Sequence, residues 1–121
     1  VWGTGKAKRD FLMVDDLAAA IRTVMEQAEG NFWSQVSQHC SSINVGSGVE
    51  ISIEQLANVI RDVVGYDGDI EFDVDYPEGT PRKLLDISKM TRLGWRPAFS
   101  LPAGLRVAYT DFLTRGQVGG V

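Results

Sequence analysis

"INVGSGVEISIEQLANVIRDVVG", residues 43–65, decides the class of fold. The β-branched run from Ile43 to Val45 is stopped by glycines and reads as a short buried strand. Ser52 stands three residues before Gln55, the spacing at which each side chain satisfies the other's free backbone N–H. From there Ile53, Leu56, Ala57, Val59, Ile60 and Val63 recur at helical spacing, and Gly65 supplies the stop. A strand that feeds a capped amphipathic helix is the unit of an α/β domain.

Working outward, "RDFLMV" at residues 9–14 is compatible with an extended segment. Asp15 or Asp16 then caps a helix whose apolar positions are Leu17, Ala20, Ile21, Val24 and Met25. It is expected to reach about Ala28, to end at Gly30, and to be followed by a loop through residue 42. Beyond Gly65, "DIEFDV" alternates as a strand does. A polar loop, "DYPEGTPRKLL", follows. Residues 86–95 read as a short helix with Asp86 or Ser88 as cap and Gly94 as stop. Ser100 caps a final helix that tolerates Pro102 in its first turn. The predicted fold is therefore α/β and helix-rich, with a thin sheet of two or three short strands. A complete doubly wound nucleotide-binding domain needs about five or six parallel strands, which these residues do not supply.

The chain has 121 residues, the size of one domain, with 44% hydrophobic and 23% charged residues and a formal net charge of −4. That balance gives no global sign of nucleic-acid binding, so an anion site has to be local. Cys40 is the sole cysteine, which excludes an internal disulfide, and no Cys/His spacing suggests a metal site. No apolar run approaches the roughly 18 residues of a membrane helix, and no signal peptide is visible. The expectation is a cytoplasmic protein without membrane contact. The chain lacks an initiator Met and opens as if within a loop, which reads as a fragment. Residues 116–121 read as a flexible glycine-rich tail, leaving 1–115 as the folded region.

Catalytic signals are sparse. "GTG" at Gly3–Gly5 and "GSG" at Gly46–Gly48 lack the third glycine of a dinucleotide fingerprint. No tyrosine is followed four residues later by lysine: Ile70, Thr80 and Leu113 follow Tyr66, Tyr76 and Tyr109. The cations say more. Arg9 follows Lys6 and Lys8 and precedes Phe11-Leu12 by one residue, while Arg82-Lys83 precedes Leu84-Leu85. If those apolar residues are buried, each cation is anchored as a diphosphate site requires. The competing reading pairs the cations with surface carboxylates, and residue chemistry alone leaves both open. Trp2 adds a flat surface that can stack on a base or sugar.

"VWGTGKAKRDFLMVDDLAAA", "INVGSGVEISIEQLA" and "DYPEGTPRKLLDISKMTRLGW" together resemble the carboxy-terminal portion of the GDP-L-fucose synthase family. These are NADPH-dependent 3,5-epimerase/4-reductases of GDP-4-keto-6-deoxy-D-mannose, in the extended short-chain dehydrogenase/reductase (NAD-dependent epimerase/dehydratase) superfamily. The resemblance implies substrate contacts from Trp2, Arg9, Glu78 and Lys83, with Arg9 and Lys83 near the diphosphate. Glu78 stands where the family usually has Asp, and Met13 where it commonly has His. The resemblance also implies that the catalytic Ser, Tyr and Lys and the NADP motif lie upstream, so this chain alone neither catalyses nor binds cofactor. Two alternatives accompany it. One is a free-standing binding or assembly module that self-associates, as a homodimer, through surface meant for the missing domain. The other is part of a different nucleotide-sugar epimerase or reductase.

Overall fold

The computed structural model describes residues 1–118, with side chains through residue 115. Its elements are β1 (Lys8–Asp10), α1 (Val14–Met25), α2 (Glu29–Gln35), β2 (Glu50–Ser52), α3 (Ile53–Val64), β3 (Arg82–Lys83), α4 (Ser88–Arg92) and α5 (Leu101–Val118). The three strands form one sheet in the order β2-β1-β3. The helix-rich α/β fold with a thin sheet is as the sequence predicts. The last three residues of the expected tail lie outside the described residues, and 116–118 are the end of α5.

The capped helix forms where the sequence places it. Ser52 accepts from Gln55 N, the Gln55 side chain accepts from Ser52 N, and both bonds are 3.0 Å. Gly65 ends α3 at φ 69°, a left-handed conformation that a side chain would oppose. The apolar face of α3 packs on α5. Ile87, not Asp86 or Ser88, occupies the cap position of α4; Asp86 just before it accepts from Ser88 N at 2.9 Å, and the chain turns at Gly94 after the helix.

Several elements differ from expectation, each for a non-local reason. Residues 43–45 join no sheet, because no strand among the described residues runs beside them, and the chain bends at Gly46 and Gly48. Ile43 and Val45 instead pack against the core. "DIEFDV" makes only one bridge, Asp73 to Trp2, and is not a strand. β2 and β3 take the places of these two predicted strands. The first helix ends at Met25, not near Ala28, and Gly30 lies inside the short α2 in a region read as loop.

Neither aspartate caps α1 through its side chain, and Met13 occupies the cap position. Asp16 is 3% exposed. Its carboxylate accepts from Ala98 N at 2.9 Å and Phe99 N at 3.1 Å. It ties α1 to the segment leading into α5, and the two backbone donors consume the charge that burial would otherwise penalise.

The core is small. Among the described residues Ala20, Met90, Leu93 and Trp95 are the buried hydrophobic ones, with Leu12, Ala19, Val24, Ile43 and Val45 packed around them. Exposed apolar side chains are many. On α1, Val14, Leu17, Ile21 and Met25 follow one another at helical spacing and are all exposed, Met25 by 80%. The accessible surface is 8699 Å², against about 6,500 Å² expected for a compact monomer of this mass. No helix among the described residues is long and apolar enough to cross a membrane.

Replacing Asp16 by Ala leaves the backbone N–H groups of Ala98 and Phe99 without their acceptor and is expected to destabilise the chain by about 1–3 kcal/mol in urea unfolding. Asp15→Ala, at an exposed neighbour, is expected to cost less than about 0.5 kcal/mol. Equal effects would remove the tie from the account.

Candidate functional site

The amino-terminal stretch runs alongside residues 71–83, and the four residues singled out from the sequence all lie on this seam. β1 is its centre. It pairs antiparallel with β2, Lys8 opposite Ser52, Arg9 opposite Ile51 and Asp10 opposite Glu50. It pairs parallel with β3, Lys8 opposite Arg82 and Arg9 opposite Lys83. Residues opposite one another in a sheet project to the same face, and neighbours along a strand to opposite faces. Arg9 and Lys83 therefore share one face, and Lys8 and Arg82 the other.

The faces differ in chemistry. Glu50 takes up both cations of the second face, Arg82 Nε at 2.5 Å and Lys8 Nζ at 3.3 Å. The Arg82 guanidinium, chiefly by its hydrogen bond, holds the Glu50 carboxyl below the usual carboxylate range. Asp10, on the same face, accepts from Ser47 N at 2.9 Å, from the Ser47 hydroxyl and from Gly48 N at 3.1 Å. A Cβ at Gly46 would lie 2.6 Å from Asp10 Oδ2, so only glycine admits that approach. On the first face, among the described residues, neither Arg9 nor Lys83 has a carboxylate partner. Arg9 Nη1 donates to the carbonyls of Lys8 at 2.6 Å and Thr80 at 2.7 Å. These bonds fix the guanidinium without neutralising it.

The pairing with surface carboxylates thus holds for two of the four cations on these strands. Arg82 and Lys8 are paired structural charges, and Arg9 and Lys83 are not paired. One sequence-based premise fails: Leu84 and Leu85 are 41% and 42% exposed and do not bury the turn in the core. The strand hydrogen bonds, not an apolar anchor, hold Lys83 in place.

Glu78 is engaged with Thr4, accepting from its backbone N–H at 2.8 Å and from its hydroxyl. The hydroxyl contact, then the backbone contact, lowers the Glu78 carboxyl from its ordinary value, with the Lys6 charge adding to both. Trp2 is bridged to Asp73 and stacks on Tyr76, ring centroids 4.6 Å apart and planes 5° apart. Thr4, Glu50 and Tyr76 were not singled out from the sequence. Nothing local marks Thr4 or Glu50, whose partners are distant in the chain, whereas an aromatic in a polar loop was a usable sign for Tyr76. A cleft of about 430 Å³ is lined by Trp2 with Glu71, Phe72, Asp73 and Val74. A larger one of about 650 Å³, between α3 and the start of α5, is apolar and touches none of the four. Cys40 is exposed beside Ser42, whose hydrogen bond lowers its thiol, and it takes no part in the seam.

The glycine pairs do not cradle a dinucleotide. The N–H groups of Ser47 and Gly48 already serve Asp10, and Gly5 packs against Phe72 so closely that a Cβ would meet its ring at 2.4 Å. Neither glycine turn fits the nicotinamide cofactor's diphosphate.

Comparison with known proteins gives this geometry a family. Residues 1–45 match the NAD dependent epimerase/dehydratase family. The chain is 49% identical to GDP-L-fucose synthase of Escherichia coli over 113 residues, 93% of this chain and 35% of that protein. The chain belongs to that epimerase/dehydratase family. Among solved structures, a GDP-6-OMe-4-keto-L-xylo-heptose reductase from C. jejuni superposes with a TM-score of 0.85 at 31% identity, over 95% of this chain and 33% of the other. A GDP-mannoheptose C4 reductase from Campylobacter jejuni, with NADP bound, gives 0.77 at 32% identity, over 93% and 34%. The chain spans about a third of the length of the relatives it matches.

The lowered Glu78 carboxyl carries a pH dependence. A folded value below the unfolded one contributes stability that is complete above the ordinary glutamate range and is lost as pH falls through the lowered folded value. Acidification below that range is expected to release the Thr4 loop, seen as faster amide exchange of Thr4. Glu78→Gln is expected to flatten the profile, and an unchanged profile would show that Glu78 does not hold the loop.

Proposed function

We propose that these residues form the nucleotide-diphosphate wall of a GDP-sugar epimerase/reductase of the GDP-L-fucose synthase type, an NADPH-dependent activity. The observation that carries the reading is the register of β1 with β3. It sets Arg9 and Lys83 side by side at strand spacing, about 4.8 Å between backbones, with no carboxylate of the described residues to neutralise them. A diphosphate presents oxygens along a comparable length. Nη1 of Arg9 is held by two carbonyls, so the rest of the fork meets the anion already oriented, and Lys83 adds a second point charge. Trp2 and the Glu78 turn border the same seam and shape the nucleotide end of the pocket.

Holding the sugar by its remote nucleotide fixes where its reacting carbons lie. The proton and hydride transfers belong to groups outside these 121 residues, whose sequence carries no Tyr-xxx-Lys pair. With NADPH and the keto sugar, the purified chain is expected to leave the absorbance of the reduced cofactor unchanged, and measurable turnover would overturn that part of the reading.

In calorimetric titration the chain is expected to bind GDP. Arg9→Ala and Lys83→Ala are each expected to weaken it by roughly ten-fold or more. Arg82→Ala, which removes only the bond to Glu50, is expected to change affinity by less than about two-fold. Equal affinity for GDP, UDP and dTDP would favour an enzyme of another nucleotide sugar, and no binding of any diphosphate would sink the reading.

A second reading is supported by the excess surface. About 2,000 Å² beyond the compact expectation is the scale of an obligate interface, and the exposed row on α1 is apolar. A self-associating module, such as a homodimer, would cover it. Sedimentation velocity of the purified chain distinguishes this reading, since a monomer at all accessible concentrations would exclude it.

A further inference from the structure

We propose that Tyr76 is a positioning residue of the nucleotide site, which acts by backing the indole of Trp2 so that its outer face forms a fixed platform for the guanine base. The inference rests on the diphosphate reading above and adds a residue and a recognition step to it.

Trp2 stacks on Tyr76 with planes 5° apart and centroids 4.6 Å apart. Yet Trp2 remains 72% exposed, so the stack uses one face of the indole and leaves the other to solvent. Tyr76 is itself 44% exposed, so neither ring belongs to the core. Both hang from one residue. The backbone around Trp2 is tied to Asp73 by Gly3 N to Asp73 O and Asp73 N to Val1 O, each 2.8 Å, and Tyr76 N reaches the same Asp73 carbonyl at 3.4 Å. The Asp73 side chain accepts from Asp75 N at 3.2 Å, closing the turn that brings Tyr76 back over Trp2. Pro77 follows directly and restricts the Tyr76 backbone to extended conformations.

A tryptophan this exposed would otherwise sample several rotamers and lose that freedom on binding. A ring already stacked from behind has given it up before the ligand arrives, which is preorganisation. The open face is flat and apolar, suited to stacking on a purine, and Trp2 also lines a cleft with Phe72, Asp73 and Val74. Through the contact of Thr4 with Glu78, the loop that carries Trp2 is joined to the turn that leads into Lys83. One rigid seam thus offers a platform for the base and two cations for the phosphates.

The test compares GDP with inorganic pyrophosphate, which has phosphates and no base, by calorimetry on the 121-residue chain. Tyr76→Phe keeps a stacking ring and is expected to bind both as the unmodified chain does. Tyr76→Ala is expected to weaken GDP by about three- to ten-fold and to leave pyrophosphate unchanged. In a Trp2→Ala background, Tyr76→Ala is expected to have no further effect on GDP. The inference is overturned if Tyr76→Ala binds GDP normally, if it weakens pyrophosphate equally, or if its cost persists without Trp2. If the unmodified chain binds neither ligand, the diphosphate reading itself falls and this inference with it. If it binds both and only Tyr76→Ala is silent, the diphosphate reading stands alone.

Discussion

The alternation of side chains along three residues of β1 is the constraint on which the site depends. Lys8 and Asp10 point to one side and Arg9 to the other because a strand has a period of two. On one side Glu50 bridges Lys8 and Arg82 while Asp10 ties down the 46–48 turn, so the structural charges are satisfied there. On the other side Arg9 stands beside Lys83, and neither has a carboxylate partner among the described residues. A slip of β1 by one residue would turn Arg9 toward the Glu50 face and Lys8 toward the other, separating Arg9 from Lys83. The contacts of Glu50 with Lys8 and Arg82 guard against that slip.

A second constraint is the shortage of core. Four buried apolar residues among the described ones and an accessible surface of 8699 Å² are a poor ratio for a chain of this length. Polar ties compensate where packing does not. Asp16 holds α1 to the approach of α5, Asp10 holds β1 to the 46–48 turn, and Glu78 holds the amino-terminal loop to the 78–80 turn. All three carboxylates accept backbone N–H groups, bonds that are stronger for being charge-assisted. The apolar row on α1 stays exposed, and the run at 43–45 joins no strand of the described residues.

Much of the helical structure was legible residue by residue. The capping box at Ser52, the stop at Gly65, the turn at Gly94 and the start of the last helix are set by contacts within a few positions. The strands were not. The run at Ile43 and Val45 has the composition of a strand and no strand beside it, whereas Arg82-Lys83, two charged residues in a turn-rich loop, is one. Pairing is decided by what lies alongside, and a short segment does not carry that information.

The sequence by itself determined the helix-rich α/β class, the capped helix α3, the resemblance to nucleotide-sugar reductases, and Trp2, Arg9, Glu78 and Lys83 as residues to examine. Only the tertiary structure decided which cations remain free. Arg82 and Lys83 are neighbours with the same charge, and nothing in their order separates them. The sheet does: their side chains leave opposite faces, and Glu50 stands on only one of them. The same holds for Trp2 and Tyr76, whose stacking requires the turn at Asp73 to fold one end of the seam against the other. Helix caps depend on near neighbours and can be read in order. Charge pairing and ring stacking depend on approach through space, which the chain order does not specify.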